Sequence, residues 1–374
     1  MADATLTPEE LEAVRKPATA ASSLPPRAYT DPEVYALEVE RIFMKEWLCV
    51  GRTDQIPKPG DYFTIDLVGE PLVVARDKEG RLRVLSRVCR HRWMSVVEGS
   101  GNTNSFQCPY HSWTYGLDGR LIGAPEMEQA EAFSRSDCHL PEVRSEIWQG
   151  FIFCNFDSDA APLAPGLTTL ESVLAAYQLP EMRAVAPLEY ESHWNWKVMV
   201  ENGSESYHHL GAHRKTVEGM FPARLTDIGD NDGPYLAYWN PTADGSPIAD
   251  PFPIPDGLSR RQRNGLLICC VFPCHVFFVL PGHMGWLHLV PESIKHHSVR
   301  FTLCVPPAAL EDPEAPQKIE AMRQIFDAIH REDMDSCRGV QRGLESRLAE
   351  PARLSHLEKS IWQFHQWWLE RMAP

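Results

Sequence analysis

The sequence predicts an α+β protein: a small all-β unit, then a larger unit mixing antiparallel strands with long helices. Two stretches of different texture carry that expectation. From about residue 49 to 156, short runs at 62–66, 71–75, 83–86 and 151–155 are separated by Pro-Gly, Glu-Gly and Asp-Gly turns, the pattern of strands joined by tight hairpins. Further on, runs rich in Val, Ile, Leu and Phe at 266–272, 276–280 and 300–305 mix with two helical patterns, 194–210 and 313–348.

In chain order, Asp31-Pro32 opens a helix, an N-cap followed by proline at the first helical position. Val34, Leu37, Val39, Ile42, Phe43 and Trp47 continue it at a helical period. Segment 162–187, rich in Pro, Ala and Leu, reads as the linker into the second unit. The expected organisation is an N-terminal helical segment over 1–44, an all-β domain over 45–160 and a larger mixed domain over 161–374.

Composition narrows the class. The formal net charge of −15 argues against nucleic acid, whose phosphates need a basic surface. The N-terminus lacks the basic start and apolar run of a secretory leader, and the most apolar stretch, 266–282, is short for a membrane span and contains Pro273 and His275. A cytoplasmic protein without a membrane contact is the expectation. Its ten cysteines are then poor candidates for disulfides. Cys49, Cys154, Cys269, Cys270, Cys274 and Cys304 sit in apolar runs and read as small buried hydrophobes. No Gly-rich loop after a strand supports bound flavin or nicotinamide.

Two cysteines differ because histidines stand at fixed offsets from them. Cys89-Arg-His91 and Cys108-Pro-Tyr-His111 are mixed Cys-His pairs in the β region. Structural zinc also takes two cysteines and two histidines, but zinc fingers usually pair like with like. Mixed pairs suit a [2Fe–2S] cluster in which two thiolates hold one iron and two imidazoles the other. Such a cluster is less negative than an all-thiolate one, with a potential of roughly −150 to +300 mV against about −400 mV. Arg90 and Arg92 flank His91 and suit either an acidic electron donor or plain solvation.

A second concentration lies at residues 201–213, with Glu201, Glu205, His208, His209 and His213 following the apolar approach Trp194, Trp196, Val198, Met199 and Val200. Buried ionisable groups need partners or a metal. Spacing alone favours His209 and His213, four apart on one helical face. On the late helix, Asp333 falls in the centre of the apolar stripe Ile319, Met322, Phe326, Ile329, Cys337 and Val340, whereas Glu332 lies well off it and Asp335 opposite.

From about Arg41 to Gln341 the chain resembles the terminal oxygenase (alpha) subunits of Rieske-type non-haem iron oxygenases. The resemblance rests on the two Cys-His pairs with Trp113 and Asp118-Gly119 after them, on the 205–213 run, and on Glu332-Asp333 with Gln341-Arg-Gly. It implies a Rieske domain followed by a helix-capped antiparallel-sheet catalytic domain of START/Bet v1-like type. It implies that Cys89, His91, Cys108 and His111 hold the cluster, that His208, His213 and Asp333 hold a mononuclear Fe(II), and that His209 is an ordinary neighbour with the helix broken at Gly211. Such a site leaves positions open for O2 and substrate. Glu205 takes the place of the family's acidic bridge, commonly aspartate, between an iron-ligating histidine and a Rieske histidine of the next subunit.

The implied function is to take electrons from a separate ferredoxin or flavin reductase through the cluster to the iron. There O2 would monohydroxylate, or O- or N-demethylate, a small organic substrate. Ring cis-dihydroxylation is the alternative, and a head-to-tail homotrimer the expected assembly. A Rieske electron carrier is the non-enzyme rival, but it leaves the histidine-carboxylate run unexplained. Phe221, Phe272, Phe277, Phe278 and Trp286 are candidates for a substrate pocket or for plain core.

Overall fold

The computed structural model describes residues 6–372; the extreme ends of the expected first and last domains, 1–5 and 373–374, lie outside them. Contacts divide the chain into two units, one spanning Lys45–Ala161, the other joining the N-terminal segment up to Met44 to the chain from Pro162 onward. Among the described residues no helix is long and apolar enough to cross a membrane.

The smaller unit holds ten strands: β1 (Leu48–Arg52), β2 (Asp61–Leu67), β3 (Glu70–Arg76), β4 (Leu82–Ser86), β5 (Ser100–Asn102), β6 (Phe106–Gln107), β7 (Thr114–Tyr115), β8 (Leu121–Gly123), β9 (Arg144–Trp148) and β10 (Phe151–Asn155). They form three antiparallel sheets in the orders β1-β10-β9, β4-β3-β2-β5 and β6-β7-β8. The β2–β3 hairpin turns at Val68 and Gly69, both at positive φ, as a two-residue turn between right-twisted strands requires. Its core joins Val73, Leu85, Phe106, Trp113 and Tyr115 to Cys89 and Cys108, so both sulfurs belong to the buried framework.

The larger unit is built on a seven-stranded antiparallel sheet of β11 (Arg183–Ser192), β12 (Asp227–Ile228), β13 (Tyr235–Pro241), β14 (Gly265–Val271), β15 (His275–Leu280), β16 (His283–Ser293) and β17 (His296–Val305), in the order β11-β17-β16-β15-β14-β13-β12. Its helices are α1 (Pro8–Glu12), α2 (Arg27–Thr30), α3 (Pro32–Glu38), α4 (Thr168–Leu174), α5 (Trp196–Asn202), α6 (Arg260–Arg263), α7 (Ala315–Leu344) and α8 (Lys359–Met372). Asp31 caps α3 as its sequence predicts, accepting from the Glu33 N–H at 2.9 Å, but the regular helix stops at Glu38 and widens into a π turn at Val39–Phe43.

Three expectations are corrected. The segment 162–187 is not a bare linker: Leu163, Leu167, Leu170 and Leu174 recur at helical spacing and are buried, Leu170 and Leu174 within α4. The pattern over 194–210 is two elements, because Asn202-Gly203-Ser204 sets three poor helix formers in a row. The Ser204 hydroxyl then takes up the Val200 carbonyl freed there. On α7 the inward line runs through Phe326, His330, Asp333, Cys337 and Gln341 at spacings of three and four, which leaves Val340 half-exposed.

Behind α5 the fold buries an ion pair. Lys197 Nζ lies 2.6 Å from Glu38 Oε1, and both side chains are fully buried. The Trp196 and Trp368 indoles donate to the same carboxylate at 2.9 and 2.7 Å. Burial pulls the Lys197 amine below its ordinary pKa, against the pull of Glu38. Removing one partner of such a pair strands a buried charge, at a cost of roughly 3–5 kcal/mol. Glu38→Ala is therefore expected to lower the urea midpoint of this unit, and Glu38→Met with Lys197→Met to recover much of the loss. An unchanged midpoint in Glu38→Ala would show that the pair is not needed for stability.

Candidate metal centres and cavity

After α5 the chain makes a short 3₁₀ turn at Tyr207–Leu210 and reverses at Gly211. That reversal brings His208 and His213 together against the middle of α7, where one donor atom from each of His208, His213 and Asp333 falls within 4.8 Å of the others. Asp333 Oδ1 is 2.8 Å from His213 Nε2 and 3.5 Å from His208 Nε2.

The opposite nitrogens are held by two further carboxylates. His208 Nδ1 lies 2.8 Å from Glu205 Oε1, while Glu205 Oε2 accepts the His208 backbone N–H at 2.9 Å. His213 Nδ1 lies 2.7 Å from Glu332 Oε2, which also accepts from the Thr216 hydroxyl at 2.6 Å. A carboxylate only accepts, so each Nδ1 carries a hydrogen, and a cation between the rings would take the place of a proton at Nε2. The sequence reading set Glu332 aside because it lies off the apolar stripe. Its signal was its adjacency to Asp333, which lets one helical turn reach both nitrogens of His213.

His209 has a different setting. It is buried, with Nδ1–H donating to the Phe221 carbonyl at 3.1 Å, and burial, with His208 beside it, holds its pKa down to about 3. Glu201 turns away into the packing of the unit, accepting from the Tyr29 hydroxyl at 2.5 Å and lying 2.9 Å from His365 Nε2.

Electrostatics test whether a cation fits. Burial alone would raise the Asp333 carboxyl, but the His213 and His208 imidazoles outweigh it and hold it below its ordinary range. Burial alone would lower His213, but Asp333 and Glu332 draw it upward. A centre that pulls a proton onto a buried imidazole is one short of positive charge. A divalent iron would supply that charge, and two nitrogens with one carboxylate are the donor set of open non-haem iron sites.

These side chains stand at one wall of a cavity of about 630 Å³. The rest of the wall is largely apolar, with Val217, Phe221, Leu266, Phe278, Phe301 and Phe326 prominent, and among the described residues no lysine or arginine lines it. Of the aromatic candidates, Phe221 and Phe278 line the cavity. Phe272, Phe277 and Trp286 do not: Phe277 faces the opposite side of β15 from Phe278 and pairs with Trp286 on β16, and Phe272 packs on Phe364 and Trp367. Phe278 crosses the strand pair at Gly285, where a Cβ would come within 2.1 Å of its ring.

In the β unit two loops repeat one backbone pattern. Cys89 N–H donates to the Met94 carbonyl at 2.8 Å and Trp93 N–H returns to Cys89 at 3.0 Å; Cys108 pairs in the same way with Trp113 and Ser112 at 2.8 and 3.0 Å. Trp93 and Ser112 share φ of 59°. The loops face each other with both sulfurs buried, while the His91 and His111 rings lie further out with centroids 4.7 Å apart. Trp113 stacks on His91 at 4.8 Å, and the Tyr115 hydroxyl lies 3.3 Å from Cys89 Sγ. Burial, with the second cysteine close by, pushes the Cys108 thiol above its ordinary pKa. Thiolates there need cations against them. Two sulfurs inside and two nitrogens outside fit a [2Fe–2S] cluster with unlike irons.

Comparison with known proteins gives the same two modules. The family description "Rieske [2Fe-2S] domain" matches residues 46–139 and "Ring hydroxylating alpha subunit (catalytic domain)" matches residues 179–374. A glycine betaine monooxygenase oxygenase subunit of Chromohalobacter salexigens is 30% identical, covering 94% of this chain and 86% of that protein. A carnitine monooxygenase oxygenase subunit of Acinetobacter baumannii is 30% identical over 85% of this chain and 84% of its own. Chloroplastic choline monooxygenase of Arabidopsis thaliana is 29% identical over 93% and 82%. Among solved structures, a quaternary ammonium Rieske monooxygenase with L-carnitine superposes with a TM-score of 0.83 at 26% identity over 99% of each chain.

Proposed function

We infer the activity from one premise, that this chain belongs to the Rieske-type ring-hydroxylating oxygenase alpha subunits. It is the terminal oxygenase of a non-haem iron system, an oxidoreductase that uses a [2Fe–2S] cluster, a mononuclear iron and O2. Cys89 and Cys108 hold the inner iron of the cluster, and His91 and His111 the outer one. His208, His213 and Asp333 hold the mononuclear iron. The observation that carries this assignment is the meeting of two histidines with Asp333, remote from them in sequence, at the wall of a largely apolar cavity.

When bound, the mononuclear iron supplies O2 activation with electrons delivered through the cluster. The protein's own part is positional. Glu205 and Glu332 fix the tautomer and orientation of the two imidazoles, and Asp333 adds the anionic third donor. The apolar wall keeps bulk water from the reacting carbon. A separate ferredoxin or flavin reductase feeds the cluster, three copies assemble head to tail, and Glu205 links His208 to His111 of the next copy. The protein works in the cytoplasm, in keeping with cysteines that serve as small buried hydrophobes in apolar runs.

The reaction is monooxygenation, as hydroxylation or as O- or N-demethylation. The relatives are named for glycine betaine, carnitine and choline, and the phenylalanine rings of the cavity can face an N-methyl cation. The test is a substrate screen with a surrogate reductase, following O2 uptake and formaldehyde release. Release of formaldehyde from an O- or N-methyl compound supports demethylation; a cis-dihydrodiol from an arene overturns it in favour of ring dihydroxylation.

The cluster assignment has its own test. His91→Cys or His111→Cys is expected to move the potential from the Rieske range towards about −400 mV, with the visible spectrum shifting to that of an all-thiolate cluster. Unchanged potential and spectrum in both variants would remove these histidines from the ligand set.

A further inference from the structure

At the cavity wall a second group of polar side chains has no part in holding the iron. Asp250 and His283 are almost wholly buried, with side chains 0% and 2% exposed. His283 Nδ1 lies 3.0 and 2.9 Å from the two Asp250 oxygens. The same carboxylate accepts the Gly282 N–H at 2.8 Å and the Phe252 N–H at 3.0 Å. Gly282 is required for this approach, since a Cβ there would meet Asp250 Oδ1 at 2.7 Å. A carboxylate only accepts, so with these contacts His283 keeps its hydrogen on Nδ1.

The other nitrogen is left over. His283 Nε2 is buried, has no hydrogen-bonding partner among the described residues, and belongs to a side chain that lines the cavity between the rings of Phe252 and Phe326. Buried polar atoms are paired in folded proteins unless a ligand completes them. A fixed tautomer with its free nitrogen in an apolar wall is the form of a recognition group.

Helix α7 gives the scale. Phe326, against His283, and Asp333 lie seven residues apart on one face of α7, so about two turns, on the order of 10 Å, separate the two ends of the cavity. Resting on the reading of His208, His213 and Asp333 as the iron site, we propose that the Asp250–His283 pair anchors the substrate. The substrate class is an apolar, ring-sized molecule with a hydroxyl group at the end remote from the carbon that is oxidised. A hydroxyl both donates and accepts, so it satisfies Nε2 whether or not that nitrogen carries a hydrogen. A carboxylated betaine suits this cavity poorly, because no lysine or arginine among the described residues lines it. His283 contacts substrate; Asp250 is a positioning residue that acts through it.

The test uses the metal-loaded enzyme without O2 and reads binding by calorimetry, so it does not depend on turnover. The probes are 4-hydroxy-4′-methoxybiphenyl, 4-methoxybiphenyl and glycine betaine. Wild type is expected to bind the hydroxylated probe at least about tenfold more tightly than the plain one. His283→Phe should erase that preference while the plain probe binds as before, which also shows that the variant is folded. Asp250→Asn should weaken the preference without changing iron content. Equal affinity of the two biphenyls for wild type, loss of both in His283→Phe, or tight binding of betaine alone would overturn the proposal. None of these results touches the iron assignment, which fails only if the loaded protein lacks mononuclear iron.

Discussion

Glu205→Gln is expected to retain both metal centres and to slow cluster oxidation in a single turnover by roughly 10- to 100-fold or more. The geometry sets that expectation. Glu205 spends one oxygen on the His208 ring and the other on the His208 backbone N–H. Glutamine keeps one acceptor, and its amide turns a donor against whichever of these partners the lost oxygen served. A carboxylate has lone pairs to spare for one more donor, such as a cluster histidine of the next copy; the amide has fewer and carries no charge. The measurement pre-reduces the enzyme, adds substrate and O2, and follows the cluster spectrum. A wild-type rate would take Glu205 out of the electron path. Mixing His111→Ala chains with His208→Ala chains tests the route between copies. Restored activity in the mixture requires transfer across subunits, and a fully active monomer would rule it out.

The second large effect separates adjacent histidines. His208→Ala and Asp333→Ala are expected to lose the mononuclear iron and all detectable turnover while the cluster spectrum survives. His209→Ala should keep its iron. Its imidazole already spends Nδ1–H on the Phe221 carbonyl, and burial holds it neutral with a pKa of about 3. Its loss should show instead as lower stability of the 207–221 loop, read by hydrogen exchange. Iron analysis of the three variants decides the matter, and the reverse pattern would shift the ligand register by one residue.

Where local pattern decides structure, the sequence was informative. The Asp31-Pro32 helix start, the turn at Asp118-Gly119 and the inward position of Asp333 follow from caps, turn residues and a helical stripe. Spacing alone assumed one continuous helix through His209 and His213, whereas the helix ends at Asn202 and a separate 3₁₀ turn carries His209. Only the family likeness pointed to His208. Glu332 and the Asp250–His283 pair were beyond local reading for a common reason. Each acts through a partner far away in sequence, and no periodicity encodes that Gly282 lets a carboxylate 32 positions away reach its backbone N–H. The pocket aromatics divided by strand parity: Phe278 was a sound candidate and its neighbour Phe277 was not, a choice fixed by which side of the sheet the cavity occupies.

Helix α7 carries two kinds of residue in separate halves. Met322, Ile325, Phe326 and Ile329 face the cavity, while Glu332 and Asp333 hold His213, and Cys337 and Gln341 hold α5 and its start. A substitution at Met322, Ile325 or Phe326 reshapes the space offered to a substrate, yet it lies more than a turn from Glu332 and Asp333. Shape of the substrate space and geometry of the donors are thereby set by different stretches of one helix, so that exchange of a few wall residues is expected to retune what the cavity accepts while His213 keeps its carboxylate partners.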